Sequence, residues 1–175
     1  MSLNEIQLQG KLLADLYRDV LISENSSNTR EAKPLMVDRQ GENEIIRSLG
    51  KNKKNYCFIV SYIHETFLPD DKMEVLIKIM QACRISMEDI ALLNIAGSER
   101  SIEQIRDQFE PSKMVLLGVN PSDIRLPIQF PAYKPQSYAN CTYLYADSLD
   151  TMDNSAAGRK IKSNLWSALK EMFGL

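Results

Sequence analysis

The stretch YCFIVSYIHETFLPDDKMEVLIKIMQACRISMEDIALLN, Tyr56 to Asn94, decides the fold. Its opening, YCFIVSYI, is β-branched and aromatic with few polar side chains, as a central strand buried on both faces must be. The period then changes. In PDDKMEVLIKIMQACR, residues Met73, Leu76, Ile77, Met80 and Cys83 recur at helical spacing and define one inner face. Pro69, Asp70 and Asp71 stand at its start, where a helix favours proline and negative charge. DIALLNIAG is apolar again and ends at Gly97. Strand, helix, strand is one parallel crossover unit.

Reading outward to the C-terminus, the alternation continues. Ser101-Ile-Glu-Gln opens the next helix, with Ser98 or Ser101 as cap and Ile102, Ile105 and Phe109 on its core side. SKMVLLGV is a third core strand. Prolines and turns follow Pro121, then NCTYLYADSL reads as another strand. A last helix spans about Ser155 to Phe173, with Ile161, Leu165, Trp166, Leu169 and Phe173 facing inward. The pattern predicts an α/β fold: a three-layer α/β/α sandwich with a mostly parallel sheet of four to five strands and right-handed crossovers.

Toward the N-terminus the text is different. Residues 3–21 carry an amphipathic helical pattern, with Ile6, Leu13, Leu16, Tyr17 and Val20 on one face and Lys11, Asp15, Arg18 and Asp19 mostly opposite. SENSSNTREAK has the composition of a flexible linker. Pro34 opens the short apolar piece PLMV, and Gly41 to Leu49 reads as a further helix. The expected organisation is an amphipathic helix with a polar tether over residues 1–33 and a single α/β domain over residues 34–175. That length suits one hydrophobic core.

Composition narrows the chemistry. No stretch is long and apolar enough to span a membrane, and no signal peptide is visible, so a cytoplasmic protein is expected. Cys57, Cys83 and Cys141 are widely spaced among apolar neighbours, and His64 is the only histidine, so neither a His/Cys metal centre nor any cofactor is expected. The formal net charge is −2, and the one dense basic run, KNKKN with Lys51, Lys53 and Lys54, reads as a solvated loop. Direct nucleic-acid binding is not expected from such a balance. Nucleophile elbows and phosphate-binding glycine loops are absent. His64 closes the first strand beside Glu65, where catalytic groups of parallel sheets lie, yet no Ser or Cys partner can be assigned to it.

Two resemblances bear on function. MVLLGVNPSDIRLP, Met114 to Pro127, resembles the strand-then-GxNP element of uracil-DNA glycosylases. On that alternative reading the protein is a divergent relative that binds nucleic acid or a nucleobase, with His64, Asn120 and Ser122 lining one pocket at the strand ends. Those enzymes also require a later His- and Pro-rich loop, and no histidine follows His64 here.

More of the chain resembles the psi subunit of bacterial DNA polymerase III, a small clamp-loader accessory protein. The resemblance covers about residues 56–173 and rests on the order of elements, on ISMEDIALLN, and on the ending SLDTMDNSAAGRKIKSNLWSALKEMF. In that ending Leu149, Met152, Lys160, Leu165 and Trp166 take places comparable to the family's. The resemblance implies a non-catalytic replisome adaptor whose partners are clamp-loader-type subunits. Its α/β body would bind the chi subunit, and an N-terminal peptide would reach the clamp-loader collar. Ile6, Leu13, Leu16 and Tyr17 would then be the docking face. The same apolar stripe would equally serve packing on the protein's own sheet.

Overall fold

A computed structural model describes residues 45–98 and 100–175. All of these belong to one structural unit, Asn43–Leu175. The stripe of Ile6, Leu13, Leu16 and Tyr17, the polar tether and the start of the domain lie outside the described residues.

Among the described residues five strands form one sheet: β1 (Tyr56–Val60), β2 (Ile90–Asn94), β3 (Lys113–Leu117), β4 (Gln136–Tyr138) and β5 (Cys141–Ala146). Their order is β2-β1-β3-β5-β4, with β4 alone antiparallel. Phe58 lies opposite both Leu92 and Val115, and Val115 opposite Leu144. Since side chains alternate along a strand, this register sorts the core into two faces. Phe58, Leu92, Val115, Leu117 and Leu144 look to one side, and Ile59, Leu93, Met114, Leu116 and Tyr143 to the other. Helices α1 (Asp70–Ala82) and α3 (Ala156–Phe173) cover the first face. Helix α2 (Ile102–Phe109), with the segment holding Val119, Ile124 and Leu126, covers the second. The three-layer sandwich and its mostly parallel sheet are as the sequence predicts. No helix among the described residues is long and apolar enough to cross a membrane.

Helix ends follow their capping residues. Ser101 Oγ accepts from Gln104 N at 3.3 Å while Ser101 N donates to Gln104 Oε1 at 3.0 Å, a reciprocal box at the start of α2. Ile102, Ile105 and Phe109 are buried beneath it. Ser155 accepts from Gly158 N at 3.0 Å at the start of α3.

Three expectations need correction. Within the described residues, Ile45 to Leu49 is not helical. Leu49 instead forms an antiparallel bridge to Leu92, with backbone bonds of 3.0 and 2.8 Å, and Gln108 holds Ile46 through both its backbone N and O at 2.8 Å. This segment pairs along the outer edge of β2, so tertiary pairing overrides its local pattern. The second correction is β4, a strand where the prolines and turns after Pro121 predict none. Ala139 and Asn140 both take positive φ (48° and 63°) and close a two-residue hairpin onto β5. The third concerns α3. Leu165 and Leu169 are buried along with Ala168 and Met172, but Ile161, Trp166 and Phe173 are only half-buried.

Candidate functional site

In a sheet of this order the chain leaves β1 toward β2 and then returns across it to β3. Doubly wound domains bind ligands where the order reverses, at the carboxyl ends of those two strands. Here a turn packs against those ends. The 3-10 turn Leu149–Thr151 follows β5 and packs over the strand ends, with Leu149 only 1% exposed. Gly118, at φ +70°, makes the approach possible, because a Cβ there would lie 2.7 Å from Ser148 Cβ and 2.9 Å from Ser148 Cα. Ser148 Oγ donates to Asp150 Oδ2 at 2.9 Å, and Asp150 faces Lys72 of α1 at 3.6 Å. The Tyr62 hydroxyl is buried beside this turn, and that burial raises its pKa.

Asn94, at the end of β2, holds the loop after β1. It accepts from Tyr62 N at 2.9 Å and donates to Tyr62 O at 2.8 Å and Glu65 O at 2.7 Å. His64 sits exposed in the turn of that loop. Asn120 and Ser122 lie elsewhere, at the end of β3, around a shallow depression of about 240 Å³ with Gln129, Phe130 and Tyr145. Asn120 is engaged locally, donating from its backbone N to Asp123 Oδ2 at 3.0 Å. The structure therefore brings Asn120 and Ser122 together, and the lining of their depression does not include His64.

The basic loop faces its own carboxylates. Lys51 and Lys53 both pair with Glu88, the former at 2.6 Å, and Lys54 meets Asp89 at 3.2 Å. Its cations hold the Glu88 carboxyl below the usual range. All three cysteines are free and buried. Burial pushes the Cys57 thiol up to about 12 and those of Cys83 and Cys141 to about 11, so they are protonated and poor nucleophiles at neutral pH.

The larger open feature is a groove of about 570 Å³ between α1 and α3. Val75, Lys78, Ile79 and Ala82 supply one wall, Lys162, Leu165, Trp166 and Leu169 the other, and Met152 to Asn154 close one end. Each wall reads i, i+3, i+4, i+7, the spacing that lines up one helix face. Both helices run against the strands, since α1 leads from the end of β1 to the start of β2. The end of α3 lies by the starts of β1 and β3, where Lys113 Nζ donates to Met172 O at 2.8 Å and Phe173 packs on Tyr56 at 5.2 Å. Trp166 departs from expectation because Leu165, Ala168, Leu169 and Met172 already fill the sheet-facing stripe. Its indole turns to the flank facing α1, with Lys170 Nζ 5.7 Å from the ring. The end wall is fixed by Gly158, where a Cβ would stand 2.5 Å from Asp153 O. Sequence reasoning found Leu165, Trp166 and Leu169 as one stripe. It missed the groove because Val75 and Ile79 come from a helix about 90 residues earlier in the chain, and only packing shows that two stripes face each other.

Fold and site together define a doubly wound α/β domain with a turn packed on its strand ends and an open apolar groove between two helices. No family model and no curated protein matches the chain.

Proposed function

We propose that the protein is a non-catalytic replisome adaptor similar to the psi subunit of DNA polymerase III, joining partners by protein–protein contacts. One observation carries this reading. The ending that resembles the psi family is the segment that shapes both features of the surface. Leu149 is buried in the turn that packs on the strand ends, while Met152, Leu165 and Trp166 line the groove. A half-exposed tryptophan in an apolar groove is the kind of anchor on which protein interfaces concentrate their affinity.

The mechanism is tethering. The N-terminal stripe of Ile6, Leu13, Leu16 and Tyr17 docks a clamp-loader ATPase subunit, and the folded body docks a second accessory subunit of the chi type. Joining the two through one chain raises their effective mutual concentration. The test is binding of the full chain and of a chain lacking residues 1–24 to the purified ATPase subunit of the same organism. Full-chain binding that the deletion abolishes is expected, as is loss on replacing Leu16 and Tyr17 with Asp. The shortened chain should still unfold cooperatively, because the described residues between Ile46 and Met172 already bury both faces of the sheet. Equal binding by full and shortened chains would remove the N-terminal docking role.

A further inference from the structure

The groove between α1 and α3 has a chemical polarity that defines its occupant. Its lining is mostly apolar, with Val75, Ile79, Leu165, Trp166 and Leu169. Its rim is basic. Lys78 stands on one wall with its side chain 75% exposed, and its carboxylate neighbour among the described residues, Glu74, is 3.9 Å away and equally exposed, a pair of little energetic weight. Lys162 stands on the other wall; among the described residues its hydrogen-bond partner is the neutral Asn154 Oδ1, at 3.4 Å, while the Asp153 carboxylate feels its charge through space. From Ala156 to Leu169, α3 carries Arg159, Lys160 and Lys162 and no acid. The one carboxylate in the lining, Asp153, is turned to the helix start, where it accepts from Ser155 N at 3.0 Å and Ser155 Oγ at 2.5 Å.

From this geometry we infer that the groove binds an amphipathic helix from a protein partner, with an apolar stripe seated on Trp166 and acidic residues flanking it to meet Lys78 and Lys162. Two parallel walls with i, i+3, i+4, i+7 spacing leave a channel for a third helix, the helix-in-groove mode of recognition. A volume of about 570 Å³ gives room for the three or four side chains of such a stripe. The cationic rim sets orientation and discriminates against basic helices by like-charge repulsion. This inference rests on the adaptor reading and specifies the chemistry of the partner that the body takes.

The experiment selects a displayed library of helical 16-residue peptides, with variable apolar and flanking positions, on the full chain. The single tryptophan of the sequence, Trp166, makes intrinsic fluorescence a reporter of this groove alone. Enriched peptides should carry apolar residues at helical spacing flanked by Asp and Glu, and synthetic copies should shift the Trp166 emission to the blue. Their affinity should fall at least tenfold in the Lys78→Glu, Lys162→Glu double variant, whose changes lie on the rim and leave the core intact. Failure to enrich, enrichment of peptides without acids, or an unmoved Trp166 emission would overturn the inference. So would displacement of the peptide by a single-stranded 20-mer oligonucleotide at equal charge, which would mark the rim as a phosphate site. If acidic peptides bind but clamp-loader subunits do not, the groove chemistry stands and the replisome assignment falls. If those subunits bind and the rim variant binds them equally well, the assignment stands and the groove does not.

Discussion

Replacing Gly118 with Ala tests whether the strand-end crevice is closed by the Ser148 turn. Two penalties act together. At φ +70° an alanine adopts the left-handed region, which costs about 1–2 kcal/mol. Its Cβ also meets Ser148 Cβ at 2.7 Å and Cα at 2.9 Å, contacts that no side-chain rotation relieves because one atom is backbone. Overpacking of this sort costs about 1–3 kcal/mol. The sum is about 2–5 kcal/mol, and with an m-value of about 2 kcal/mol/M the urea midpoint should fall by about 1–2.5 M. Equilibrium urea unfolding followed by far-UV circular dichroism measures it. The variant Ser148→Gly removes one of the two clashing atoms, so the double variant should recover part of the loss, beyond the small cost of removing the Ser148 cap on Asp150 N. A loss of about 1 kcal/mol or less in Gly118→Ala, with no coupling to position 148, would mean that the turn does not rest on the strand ends. The crevice would then be open to ligands.

Other outcomes follow from the same packing. Leu76→Ala removes a fully buried side chain of α1 and should cost about 2–5 kcal/mol by urea unfolding, whereas Trp166→Ala should cost clearly less than the about 3–5 kcal/mol of a buried aromatic. Ser101→Ala breaks the reciprocal cap of α2 and should cost about 1 kcal/mol, measured by thermal melting. Above pH 9 stability should decline. The buried thiols hold their protons in the folded state up to about 11 or 12, while in the unfolded chain they release them near 9.0, so alkali favours unfolding. Urea midpoints at pH 8, 9 and 10 should fall in that order, and replacing the three cysteines with alanine should flatten the part of the trend that they cause.

The layered fold was legible because each element carries its own period. Cys57 to Val60 and Met114 to Leu117 are continuous buried runs, and Ser101 with Gln104 marks a helix start by chemistry that acts over three residues. What escaped depends on contacts distant in sequence. Leu49 is extended because Leu92 offers it backbone partners, and nothing within Gly41 to Leu49 records that. The β4 hairpin turns on Ala139-Asn140, a pair that lacks the glycine by which such turns are recognised. The same limit applies to the site. The stripe containing Trp166 is visible in α3, but whether it faces core or groove is decided by how much room α1 and the sheet leave. Grouping His64 with Asn120 and Ser122 rested on strand-end position alone, and the lining of the Asn120–Ser122 depression shows how coarse that rule is.

The most direct test of the adaptor claim is mass photometry of the full chain mixed with a purified clamp-loader ATPase subunit and a chi-type accessory subunit. The account predicts a ternary species that neither subunit forms without this protein. Removing residues 1–24 should release only the ATPase subunit, and Lys78→Glu with Lys162→Glu should release only the other. A mixture containing no complexes with this chain, or a ternary complex indifferent to both changes, would contradict it.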